Sequence, residues 1–264
     1  MSATFHTVST RVIDDLLAAD PALATHLGDH RWDHLLPDYS NAAIAQLRER
    51  LDDHLTTLDA IDDVALPLEE QVDLEILRAR VSATQLAFDD IDRRTWDPLM
   101  WNPGTAVYLL LARDFAPAQE RIESVVARLR DIPRFLADAR VVLAEMSGIH
   151  VETAIAQLAG FPGILDQAAL LARETDRESE LAEVSSAGAG EVEEFRSWLA
   201  ARAPESRRDP RLGVRLYSAA LWHNLDEEIA PIQVLEAAER HLDDITTRMR
   251  EVAAQFTEIG RAHV

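Results

Sequence analysis

Apolar residues recur three and four positions apart along almost the whole of this 264-residue chain, and strict alternation of apolar and polar residues occurs almost nowhere. The first spacing belongs to one face of a helix and the second to a strand, so the chain can bury its apolar residues only by packing helices together. The expected fold is all-α: a multi-helix bundle of long antiparallel helices with an aromatic loop segment and no sheet. Hydrophobic residues make up 47% of a 29.4 kDa chain, enough for a sizeable core.

The punctuation of this pattern places the elements. A first helix spans about residues 5 to 19 with Val8, Val12, Leu16 and Leu17 inward, and Asp20-Pro21 ends it because the residue before a proline is pushed out of the helical region. Ser40 caps a helix over about 41 to 62, whose stripe is Ile44, Leu47, Leu51, Leu55 and Leu58. Pro67 suits the first turn of the next, carrying Leu74, Leu77, Val81 and Leu86. Further helices are expected over about 117 to 131, 134 to 146 beyond Pro133, 150 to 172 with a bend or break at "GFPG", and 174 to 202. The run "SSAGAG" at 185 to 190 is a weak spot in a long helix, since apolar periodicity resumes on both sides. No repeat and no firm boundary stands out, so residues 1 to 264 are read as a single all-α domain.

From Pro231 a last helix carries Leu235, Ala238, Leu242, Ile245, Met249, Val252, Phe256 and Ile259, a seam alternating three and four. Such a seam is either a packed bundle face or a strip for a partner. If uncovered, it favours self-association or docking of a partner.

Charge and inventory exclude several functions. The net charge of -21 repels nucleic acid and anionic membrane surfaces. All 26 cationic residues are arginine, and there is no cysteine, which removes disulfides, thiolate metal sites and cysteine nucleophiles. The start lacks a basic region followed by an apolar run, and no stretch of about 18 consecutive apolar residues occurs, so a cytoplasmic location is the expectation.

The stretch "ATHLGDHRWDHLLPDYS", residues 24 to 40, packs His26, His30 and His34 among Asp29, Asp33 and Asp38. His30 and His34 have the spacing of two zinc ligands on a helix, but Arg31 and Asp33 stand between them without the Glu of H-E-x-x-H, and Gly28 and Pro37 punctuate the segment. A polar turn explains it better, with no metal and with Gly28, Asp29, Arg31 and Asp38 as a structural elbow. Residues 92 to 117 hold Trp96, Trp101, Tyr108 and Phe115 beside Pro98, Pro103 and Gly104. They read first as a core-sealing loop, and alternatively as a cleft wall in which Trp101, Asn102 and Tyr108 bind substrate.

No histidine has an acidic residue three positions before it, so a di-iron carboxylate bundle is not indicated. Neither a nucleophile elbow nor a phosphate-cradling glycine pattern is present. His150 and Glu152 point to different faces of a helix, and His223, Asp226, Glu227 and Glu228 read as a polar helix end. No catalytic residue is assigned.

The run "DPALATHLGDHRWDHLLPDYS", followed in order by "IPRFLADARVVL", "HVETAIAQLAGF" and "LYSAALWHNLDEEIAPIQVLEAAERHLDDITTRM", resembles the N-terminal half of the domain of unknown function 885 family. That family is similar to zinc metallopeptidases of the gluzincin group, with H-E-x-x-H and a further Glu ligand in its second half. The resemblance implies that zinc belongs to that half, which lies beyond Val264, and that no cofactor is held here. It therefore implies a helical scaffold or substrate-cleft half of a metallopeptidase-like hydrolase, inactive alone, whether a truncated reading frame, an excised domain or one subunit of a split enzyme. The rival is a standalone acidic helical binding module for a small ligand or a protein partner; a weaker third is a complete enzyme with a cryptic site.

Overall fold

The computed structural model describes residues 3–225 and 229–261, and the side chains of residues 5–225 and 229–255. Among the described residues eleven α-helices follow one another: α1 (Ala3–Ala19), α2 (Pro21–Leu27), α3 (Asn41–Asp59), α4 (Leu68–Leu86), α5 (Gly104–Leu111), α6 (Ala118–Val142), α7 (Gly148–Leu158), α8 (Phe161–Ala172), α9 (Glu178–Arg202), α10 (Gly213–Leu225) and α11 (Pro231–Arg261). Short 3-10 turns and one π-helical turn at Ala87–Ile91 fill the connections. Among the described residues there is no sheet, only an isolated bridge between Ser147 and Arg207.

The chain divides into two compact units, residues 1–211 and 212–264, where the sequence alone offers no firm boundary. The first unit has two cores. Phe5, Val12, Ile44, Leu47, Leu51, Leu58, Leu74 and Val81 join α1, α3 and α4; all but Phe5 belong to the stripes read from spacing, of which Val8, Leu16 and Leu55 are only partly buried. The larger core joins α5 to α9 through Val107, Leu110, Leu129, Phe135, Leu136, Phe161, Phe195 and Leu199. Tyr39 packs against both, so the segment before α3 ties the two together. Each buried leucine or phenylalanine contributes about 1.5 to 3 kcal/mol relative to an exposed one.

One expectation is corrected. Pro133 does not separate two helices; α6 runs through it from Ala118 to Val142. Leu129, Ile132, Phe135 and Leu136 are buried on both sides of the proline, and this packing outweighs the roughly 3 kcal/mol that an interior proline costs. The neighbouring helix is fitted to the spot. Gly188 of α9 rests on this turn, where an added Cβ would stand 3.4 Å from Ile132 Cδ1 and 3.8 Å from the Leu129 carbonyl oxygen that Pro133 leaves without its usual donor. The "SSAGAG" run is therefore a crossing point at which small residues let α9 lie against α6.

The segment Gly148–Ala172 has the length and composition of a membrane span, yet it is two helices broken at Ala159-Gly160, as "GFPG" predicts. Val151, Ala154, Leu158, Phe161 and Ala168 belong to the larger core.

The second unit is the helical pair α10 and α11. None of its described residues is buried. Leu235, Leu242, Ile245, Met249 and Val252 leave an apolar stripe uncovered along α11, with Leu242 at 65% and Met249 at 67% exposure. The Phe256 and Ile259 side chains and residues Asp226, Glu227 and Glu228 lie outside the described residues.

Candidate functional site

The elbow is built by capping. Asp20 caps α2 through a hydrogen bond from the Leu23 N–H at 3.0 Å. Gly28 closes the helix in the left-handed region at φ 90°, where a side chain is strained. Asp29 accepts from the Arg31 backbone N–H at 3.2 Å and from Arg31 Nη2 at 2.6 Å, while that guanidinium also donates to Asp14 at 2.7 Å. The Arg31 hydrogen bonds hold the Asp29 carboxyl below its ordinary value. Asp38 accepts from the Ser40 N–H at 3.0 Å, and Ser40 caps α3 by accepting from the Ala43 N–H at 3.2 Å.

The histidines of this stretch do not converge. His30 Nδ1 lies 2.9 Å from Asp33 Oδ2, and its ring stacks on Phe115 at 3.9 Å. His26 and His34 are exposed. No cluster of three or more metal-ligating side chains is found among the described residues.

Beneath the elbow lies a polar network that sequence reading missed. Asp33 is buried and accepts from the Thr25 hydroxyl at 2.6 Å. Thr25 in turn accepts from Arg128 Nη2 at 2.8 Å, and Arg128 also donates to the Ala106 carbonyl. Burial pushes the Arg128 guanidinium down to about 10, which leaves it protonated at neutral pH. Arg128 thus fastens α2 and α5 to α6. No spacing rule marks it, because on α6 it occupies a core-facing position otherwise filled by apolar residues.

The aromatic segment separates its three candidate residues. Trp101 is fully buried against Tyr39 and Phe135 and donates Nε1–H to the Arg94 carbonyl at 2.9 Å. Asn102 Oδ1 accepts from the Gly104 N–H at 2.9 Å and its amide donates to Gln157 at 3.3 Å, joining the start of α5 to α7. Tyr108 is 45% exposed. Trp101 is thus core and Asn102 a brace, with Tyr108 the one of the three that presents substantial surface.

Two concavities carry distinctive chemistry. One, of about 480 Å³, is lined by Ala144, Glu145, Met146 and Ser206 with Arg202, Arg207 and Arg208. The other, of about 470 Å³, is an apolar groove on α11 along Ile245, Met249 and Val252. The sequence signals were, respectively, the arginine pair in "ESRRDP", passed over among so many arginines, and the alternating seam.

The sequence model of a bacterial family of unknown function, DUF885, matches residues 21–263. The chain belongs to that family. No curated protein matches the sequence. A solved structure of a Shewanella oneidensis protein of unknown function, described provisionally as a lipoprotein, shares the fold with a TM-score of 0.82 at 22% identity. The match covers 94% of the DUF885 chain and 47% of the Shewanella chain, so the chain spans about half the length of that relative.

Proposed function

We propose that this DUF885 chain is the helical scaffold and substrate-cleft half of a zinc metallopeptidase-like hydrolase, without catalysis of its own. Zinc and its ligands would be supplied from outside this sequence, by the same polypeptide or by a separate one. The observation that carries the reading is the uncovered apolar stripe of α11, where Leu235, Leu242, Ile245, Met249 and Val252 stand exposed in a helix of 31 residues. A stripe of that length is what a helix shows when its partner elements are absent. The resemblance of the sequence blocks to one half of a longer family, and the fit to 47% of a longer fold, support the same reading.

The arginine-lined cleft favours a second reading, a standalone acidic binding module for a small ligand. The experiment is a peptidase and esterase assay of the purified chain with added zinc, paired with light scattering. Background turnover and a self-associated mass are expected, in which Leu242 and Met249 seal α11 against another copy. Metal-dependent turnover would overturn the absence of independent catalysis. A concentration-independent monomer, unchanged in solubility by Leu242→Glu with Met249→Glu, would remove the docking face.

A further inference from the structure

We propose that the cleft at Arg202, Arg207 and Arg208 is a binding site for a small organic anion with a carboxylate or phosphate head. The inference stands apart from the hydrolase reading, because the cleft lies wholly within the first unit and needs no zinc. Its first support is that the three arginines have no carboxylate partner among the described residues, where pairing would be easy. The chain has 47 acidic residues against 26 arginines, and many of the other arginines, Arg31, Arg134 and Arg177 among them, are bound to carboxylates. Among the described residues none of the cleft arginines has a carboxylate within salt-bridge distance, although Glu145 and Glu205 line the same cleft.

The second support is that two of the arginines are held in place by stacking. The Arg202 guanidinium lies 3.9 Å from the centre of the Trp198 ring, and Trp198 stacks in turn on the fully buried Phe195 at 5.5 Å. Arg208 lies 4.8 Å from the centre of Trp96, a buried ring anchored by its Nε1–H to the Ile91 carbonyl at 2.9 Å. Cation–π stacking occupies the face of a guanidinium and leaves the in-plane N–H donors free for an oxyanion. It also orders the side chains before a ligand arrives, which lowers the entropy lost on binding.

The third support comes from the backbone beside the cleft. The Arg208 N–H donates to the Met146 carbonyl at 3.2 Å, and Ser147 bridges Arg207, so segments 144–147 and 205–208 form two adjoining walls. Helix α7 begins at the next residue. Its first turn has no acidic residue, and its N-cap Ser147 makes no capping bond and keeps a buried hydroxyl without a partner. An added Cβ on Gly148 would be 3.1 Å from the Ser206 carbonyl oxygen, so the positive end of α7 abuts the segment that carries the arginines.

With the whole chain at -21, long-range attraction of an anion is absent, and recognition has to come from these short-range donors. The test is calorimetric titration of the full chain at low salt with inorganic phosphate and with N-acetylglycine, using N-acetylglycine amide as the uncharged control. Saturable one-to-one binding of phosphate or of acetylglycine is expected, with none of the amide; which anion binds tells a phosphate head from a carboxylate head. Arg202→Gln with Arg208→Gln should weaken binding about tenfold or more, whereas Arg211→Gln, at an exposed arginine already paired with Asp209, should leave it unchanged. Arginine Nε–Hε resonances of the unmodified chain give a reading that depends on no variant: two or more should shift on saturation. Failure of both anions to bind, or equal binding by the double glutamine variant, overturns the proposal.

Discussion

The two units use the same kind of amphipathic helix to opposite ends. In the first, α6 carries eleven buried residues in 25, with its apolar face enclosed by α5, α8 and α9. In the second, α11 carries an equally regular stripe over 31 residues, and not one of its described side chains is buried. Periodicity states that a helix has a face to cover, but says nothing of what covers it. The first unit contains its own answer. The second leaves its stripe exposed among the described residues.

The sharpest test of that contrast removes one large side chain from each unit. Phe135→Ala, in the core between Tyr39 and Trp101, should cost about 3 to 5 kcal/mol by thermal or urea unfolding. Leu242→Ala should leave the first unit's melting unchanged and instead shift the association equilibrium. Equal losses from both would mean that α11 is core after all.

Next in size is the polar fastening of the first unit. Arg128→Met leaves Thr25 without its donor and the buried Asp33 without a nearby cation, and about 3 kcal/mol should be lost at neutral pH. A variant as stable as the parent would show that α2 and α5 are held by apolar packing alone.

Smaller effects belong to the elbow. Gly28→Ala places a Cβ at φ 90°, for about 1 kcal/mol of destabilisation. Asp38→Ala removes the acceptor of the Ser40 N–H, with a loss of similar size, about 1 kcal/mol. Both should lower the melting temperature by a few degrees without altering binding of any ligand; an unchanged melting temperature would count against the structural role.

The smallest effect concerns pH in the second unit. Burial lowers the His223 pKa below its ordinary 6.5, so the folded pair prefers the neutral ring. Its contribution is complete above pH 6.5 and falls away as acidification carries the pH down through the lowered folded value. Histidine NMR should show His223 titrating below 6.5. A midpoint at or above 6.5 would remove the effect.

How much was legible follows the range of each interaction. The α1, α3 and α4 stripes, the Ser40 cap, the break at "GFPG" and the turn chemistry around Gly28 all depend on residues within one or two turns of each other, and the sequence displays them directly. Pro133 misled because its local preference was overruled by long-range packing. The aromatic segment could be located but not divided: only the fold distinguishes Trp101, pointed into the core, from Tyr108, left at the surface. Arg128 and the arginine cleft were hidden for a related reason. A guanidinium becomes a fastener or an anion donor according to which carbonyl, indole or carboxylate lies near it, and those neighbours stand up to 107 positions away in sequence.

The sequence by itself therefore determined the helical class, the places of most long helices, the Ser40 cap and the existence of an apolar face on α11, because each follows from backbone preferences and the 3.6-residue period. The tertiary structure alone decided that α6 continues through Pro133, that Gly188 is a crossing point, that Arg128 is buried, and that Arg202 and Arg208 stack on tryptophans beside the start of α7. Those outcomes depend on which distant surfaces meet, and burial, stacking and pairing acquire their energies only when they do.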